Sequence, residues 1–160
     1  HYAMNWRWHV DFQMEDILKL VQKMEPFIGA KDFLDWSRDR FQVVIVSDSF
    51  YELAWPLIRK LGTPPIICHT LDIQDGSLKG YKLRQKNNKK KVVENLKSLK
   101  YTVFATGDSY NDIEMLSTAD LGVLFQAPQH IRDEFSSFKF VENYEGLKDT
   151  FSSHSEYLKR

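Results

Sequence analysis

Three short polar stretches in this chain carry side chains that could hold a phosphate and a divalent metal together. Val43-Val44-Ile45-Val46 leads into Ser47-Asp48-Ser49-Phe50, and a second apolar run, 102–106, leads into Gly107-Asp108-Ser109-Tyr110-Asn111-Asp112. Between them, Arg84-Gln85-Lys86 and Lys89-Lys90-Lys91 put cations ahead of, and in the first turn of, a predicted helix. A hydroxyl and nearby backbone N–H groups donate to phosphate oxygens, while an ammonium neutralises their charge. Carboxylates suit Mg²⁺, which takes few protein oxygens and leaves its other positions to water or phosphate. Each stretch also has a purely structural reading. Ser47 or Asp48 after a strand serves as a helix cap or turn residue. A lysine run serves as a solvated helix face, although at a helix start it opposes the dipole. Asp112 at a helix start favours that dipole. The functional reading rests on all three stretches falling in chain order at one edge of a sheet.

The elements that must position these groups follow from periodicity. Apolar residues at helical spacing predict helices over 15–24, 30–40, 51–61, 89–100, 112–119, 129–135 and 144–158. Short continuous apolar runs predict buried strands over 43–46, 66–68, 102–106, 121–125 and 138–141, as in a parallel sheet. Asp75-Gly76 between 70–73 and 79–83 is a hairpin signal. Strands alternating with helices of this length give a three-layer α/β fold, whose sites lie at the carboxyl ends of the strands.

Composition narrows the classes. With 160 residues the chain makes one compact domain rather than two, and 42% hydrophobic content gives it a core of its own. Lys+Arg 22 balances Asp+Glu 22, so no long-range field draws in nucleic acid or an anionic membrane. Cys68 is the single cysteine, which excludes a disulfide framework and a cysteine-cluster zinc site. The five histidines have no ligand spacing, and no apolar run approaches the length of a membrane span. The expectation is a soluble, cytoplasmic protein. Tyr110 either closes over a ligand or packs, and the four tryptophans are expected mainly in the core.

The quoted residues resemble a family. Ser47 after its strand, a lysine opening a helix, and Gly107-Asp108-Ser109-Tyr110-Asn111-Asp112-Ile113-Glu114-Met115-Leu116 look like motifs II, III and IV of the haloacid dehalogenase superfamily. The residues from Phe41 to Glu52, together with Tyr81-Lys82-Leu83-Arg84-Gln85-Lys86 and Leu124-Phe125-Gln126-Ala127-Pro128, resemble the bifunctional phosphoserine phosphatase/homoserine phosphotransferase branch. The resemblance implies a Rossmann-like core over 26–160 and the remnant of a helical cap over 1–25. It also implies Mg²⁺-dependent phosphoryl transfer from a small phosphorylated metabolite, O-phospho-L-serine first, to water or homoserine, as in serine biosynthesis. Another small phosphomonoester is the alternative substrate. A homodimer is compatible with it; nucleic acid and membrane partners are not expected.

Carried over by position, Ser47 binds the transferring phosphoryl group and Lys89 is the motif III lysine, with Lys86 its competitor. Asp108 ligates the metal, joined by Asp112, and Asn111 and Asp112 orient the ligand shell. Asp48, Arg84 and Lys86 border the substrate, and Arg7 matches a cap arginine that grips the substrate carboxylate. One part of the pattern is missing. The family's first strand ends in D-x-D or D-x-E, whose first aspartate becomes the aspartyl-phosphate, and no such strand precedes Ser47. The chain opens on His1 without an initiator methionine, so two expectations stand. Either sequence ahead of His1 supplies that strand, or this is a catalytically dead phosphate-binding or regulatory module.

Overall fold

The computed structural model describes residues 14–155. In chain order these form α1 (Met14–Val21), α2 (Ala30–Arg38), β1 (Ile45–Phe50), α3 (Tyr51–Lys60), β2 (Ile66–Gln74), β3 (Ser77–Lys82) and α4 (Asn88–Ser98). Then follow β4 (Phe104–Gly107), α5 (Tyr110–Thr118), β5 (Leu121–Phe125), α6 (Gln129–Glu134), β6 (Lys139–Val141) and α7 (Tyr144–His154).

The second half is the three-layer arrangement that the alternation predicts. Strands β4, β5 and β6 pair in parallel in that order. Val123 and Leu124 point to opposite faces of β5 and are both 0% exposed. On one face Leu124 packs with Val93 of α4, Met115 and Leu116 of α5, and Ile131 of α6. On the other, Val123 packs with Phe33 of α2 and with Leu147 and Phe151 of α7, in a cluster that also takes in Trp36, Phe41 and Phe104.

The first half is a separate sheet of order β1-β2-β3. β2 runs straight through nine residues, where the sequence predicts two pieces. Its first part pairs with β1 in parallel and its second with β3 antiparallel. Asp75 (φ 51°) and Gly76 (φ 75°) supply the two left-handed positions of the connecting turn. β1 begins two residues later than predicted because its ladder starts where Ile45 N–H meets the Pro65 carbonyl, at 2.8 Å. Pro64 and Pro65 have no N–H to offer Val43 or Val44. β4 likewise starts at Phe104, since the Val103 N–H is taken by the Asp120 carboxylate at 2.8 Å.

Among the described residues β1 and β4 each pair on one edge only, so a gap separates the two sheets. β1 shows what the gap costs: Ile45 and Val46 are only half-buried, unlike Val123 and Leu124. The halves are joined by α4, which packs on both β1 and α5. α1 lies against α3, where the Lys60 ammonium donates to the carbonyls of Gln22 (3.1 Å) and Met24 (2.7 Å). No helix among the described residues is long and apolar enough to cross a membrane.

Candidate active site

Ser47 and Asp48 owe their placement to a bulge. Val46 pairs with Ile67 and Phe50 with His69, so Ser47-Asp48-Ser49 stand opposite Cys68 alone and bow out of the ladder. The bow is closed by the Ser49 N–H, which donates to Ser47 Oγ at 3.1 Å. That leaves the Ser47 hydroxyl hydrogen free to donate elsewhere.

The cation comes from the first turn of α4. Asn87 is left-handed (φ 52°) and turns the chain so that Asn88 is buried. Asn88 Nδ2 donates to the carbonyls of Ile67 (3.4 Å) and Ser47 (3.5 Å), and Oδ1 accepts from Gln85 Nε2 (3.2 Å). The helix start is thereby fastened to β1 at Ser47 and to β2 at Ile67. Lys89 Nζ then reaches Asp112 Oδ1 at 2.8 Å and Asp48 Oδ2 at 3.3 Å, spanning the gap between the sheets.

Asp112 is held from every side. Its Oδ2 accepts from the N–H of Asp108 (3.0 Å), the N–H of Ser109 (3.1 Å) and Ser109 Oγ (3.0 Å). Only a glycine fits beneath it, because a Cβ at position 107 would lie 2.4 Å from the Asp112 carboxyl carbon. Burial alone would raise the Asp112 pKa, but the Lys89 ammonium and the two backbone N–H groups hold it below the usual carboxylate range. Burial would likewise lower the Lys89 pKa; the hydrogen bond and charge of Asp112, with the charge of Asp48, keep it above the ordinary lysine value. Both groups are therefore charged at neutral pH.

Lys89 faces a cavity of about 460 Å³ whose walls also include Asp48, His69, Asn88, Tyr110 and Asn111; Ser47, Asp108 and Asp112 do not line it. Of the residues expected from sequence, Asp48, Lys89, Asn111 and Lys86 line it, and the Ser47 carbonyl meets Asn88 at its wall. Asp108 is exposed at the end of β4, with its carboxylate unpaired among the described residues. Lys89, rather than Lys86, meets the two carboxylates. Arg84 folds back: its Nε donates to the Cys68 carbonyl at 2.9 Å, and it does not line the cavity. Arg7 lies outside the described residues. Tyr110, also in the cavity wall, donates its hydroxyl to Glu134 and leans edge-on against Phe135. Sequence reasoning missed Asn88, quoted Gly107 only as part of the motif string, and gave His69 no role. A larger groove, about 790 Å³, between α1 and α3 is lined mainly by apolar residues such as Met14, Leu18 and Trp55 and holds none of Ser47, Lys89 or Asp108.

The donor set can be tested against Mg²⁺. Asp108 is an open, hard oxygen donor at a strand end and fits. Asp112 has three donors on one oxygen and an ammonium on the other, which suits it to hold the loop and Lys89. No group of three or more His, Cys, Asp or Glu side chains among the described residues forms a cage by itself. The site thus fits a metal that takes one or two carboxylates and completes its shell with phosphate and water.

Comparison with known proteins bears on the family and the fold. The family model described as haloacid dehalogenase-like hydrolase matches residues 3–117. Phosphoserine phosphatase ThrH of Pseudomonas aeruginosa is 49% identical over 140 residues, 87% of this chain and 68% of its own length. Phosphoserine phosphatase of Pseudomonas syringae pv. tomato is 45% identical over 140 residues, 87% of this chain and 59% of its own. A crystal structure of a phosphoserine phosphatase in apo form superposes with a TM-score of 0.73 at 25% identity, covering 86% of this chain and 74% of that one.

Proposed function

The chain belongs to the haloacid dehalogenase-like hydrolase family, and from that premise we propose that the protein is a Mg²⁺-dependent phosphatase of O-phospho-L-serine, with water or homoserine as acceptor. The observation that carries the proposal is the Lys89 ammonium, fixed between Asp112 and Asp48 beside the Ser47 bulge and facing a cavity. The likeness to two phosphoserine phosphatases at 49% and 45% identity supports the choice of substrate.

The phosphoryl group of the substrate lies against Lys89 and the Ser47 hydroxyl, which donate to its oxygens as charge moves onto them. Asp112 holds the ammonium in place and Asn88 ties the helix carrying it to β1. Asp108, with Asp112 behind it, is the side for Mg²⁺; when bound, the ion neutralises phosphate charge and orients the ester. The attacking group is an aspartate that this chain does not hold. The phosphoryl group passes to that carboxylate as the P–O ester bond breaks and the ester oxygen leaves as a hydroxyl on taking a proton; water or homoserine, giving up a proton, then takes the phosphoryl group and frees the carboxylate. Among the described residues β1 and β4 each have one unpaired edge, with Lys89 bridging Asp48 of β1 to Asp112 of α5, and a strand entering between them is the route by which this aspartate arrives.

The test is a Mg²⁺-dependent phosphatase assay on O-phospho-L-serine with this chain and with one carrying the coding sequence ahead of His1. The longer protein is expected to turn over substrate, and Asp108→Asn in it to abolish the Mg²⁺-dependent rate. A native message that begins at His1, or a longer protein with no turnover, sinks the enzyme reading. Unchanged activity in Asp108→Asn removes Asp108 from the metal site.

A further inference from the structure

We propose that His69 is a specificity-determining residue of this cavity: its Nε2–H donates a hydrogen bond to an acceptor oxygen on the organic half of the phosphomonoester, not to the phosphate. The inference rests on the phosphatase reading and goes beyond it.

His69 lies in β2, and the residue as a whole is 6% exposed. Its Nδ1 accepts the Arg84 backbone N–H at 3.1 Å. A backbone amide can only donate, so Nδ1 carries no proton and the neutral ring holds its hydrogen on Nε2. Nε2–H has no hydrogen-bond partner among the described residues, yet the ring lines the 460 Å³ cavity. Nε2 is not among the buried polar atoms that lack a partner, so it opens onto the cavity, where water or a ligand oxygen can take its hydrogen.

Position decides which part of a ligand that partner is. Ile67, whose carbonyl anchors Asn88 at the level of Ser47, pairs with Val46. His69 is two residues further along the strand and pairs with Phe50, so it stands about 7 Å beyond that level. A phosphate held by Ser47 and Lys89 leaves His69 facing whatever the phosphate is attached to. Phe50, whose ring centroid is 6.2 Å away, supports the imidazole on one side. Arg84 Nε donates to the Cys68 carbonyl, and Arg84 does not line the cavity.

Two substitutions separate this role from a merely structural one. His69→Asn keeps an acceptor for the Arg84 N–H but loses the cavity donor; His69→Gln keeps a donor near Nε2 and loses the acceptor. Apparent Kd values for inorganic phosphate and for O-phospho-L-serine come from ligand-dependent thermal unfolding with Mg²⁺ present. The unaltered chain is expected to prefer O-phospho-L-serine. His69→Asn should reduce that preference by about tenfold, the worth of one hydrogen bond to a charged acceptor, with phosphate affinity unchanged. His69→Gln should retain it. An unchanged preference in His69→Asn overturns the inference, as does equal loss in both variants, loss of phosphate affinity itself, or no preference in the unaltered chain. Lys89→Ala distinguishes the underlying reading: if it binds phosphate as well as the unaltered chain, the phosphate site itself is wrong. Should His69→Asn fail to fold, the His69 ring resonances of the unaltered chain give the answer. O-phospho-L-serine must shift the Nε2–H signal and phosphate must not; the reverse refutes the role.

Discussion

Replacing Gly107 by alanine tests how tightly the site is built. A methyl there meets the Asp112 carboxyl carbon at 2.4 Å and its Oδ2 at 2.6 Å, where ordinary contact begins at 3.4 Å. The carboxylate must therefore retreat by about 1 Å. A retreat of that size carries the bonds at 3.0–3.1 Å from Asp108, Ser109 N–H and Ser109 Oγ out of hydrogen-bonding range. It also pulls Asp112 off Lys89, where the two side chains are only 7% and 15% exposed. Breaking such a pair costs about 3–5 kcal/mol, against a total of about 5–15 kcal/mol for a domain. Urea unfolding should show a midpoint lower by about 2 M, and phosphate binding per folded molecule should fall at least tenfold. Gly122→Ala is the control. Its methyl would meet the Leu116 carbonyl oxygen at 2.4 Å, in the core and away from the cavity. It should destabilise comparably without weakening phosphate binding in the folded fraction. A Gly107→Ala protein with both properties unaltered would refute the argument that Asp112 is clamped from below.

Two further expectations concern the scaffold. The Asp120 carboxyl is held below the ordinary carboxylate range by the Lys97 ammonium and the Val103 N–H. Its stabilisation is therefore in place above about pH 4 and lost as pH falls through the lowered value. Asp120→Asn should lower Tm at pH 7 by the equivalent of about 0.5–1 kcal/mol, with the gap to the unaltered chain narrowing as pH falls below about 4; a constant gap would show that charge is not the cause. Lys60 anchors the carbonyls after α1 and pairs with Glu25 at 2.6 Å. Lys60→Met should cost about 1 kcal/mol and speed proteolytic cleavage after Lys23, and equal cleavage rates would show the tether to be idle.

Much of this was readable from residue types. The five residues from Leu121 to Phe125 form β5 as read, because a continuous apolar run flanked by helices has no other low-energy placement. The three polar stretches in chain order signalled the candidate site; Asp108 and Asp112 belong to one strand–helix junction, where local geometry fixes their relation. Strand starts were misplaced at 43 and 102, since a ladder begins where a partner can donate or accept, and partners are remote in sequence. Asn88 looked like one more polar residue in a lysine-rich turn; only the meeting of α4 with β1 and β2 makes it a fastening. Arg84 carried the right charge for a substrate contact, yet the Cys68 carbonyl claimed its Nε. His69 gave no signal, because a lone histidine in a strand is informative only when the cavity beside it is known.

The split sheet puts an unusual demand on one ammonium group. Lys89 clasps the two halves through Asp48 and Asp112 and must also receive the incoming anion. An ammonium has three hydrogens, and the clasp occupies two of them. The third is left for a ligand oxygen, so the protein can take up its guest without letting go of itself. Occupancy then adds a further bond to a joint already closed, and the two lobes should be held more firmly when loaded than when empty.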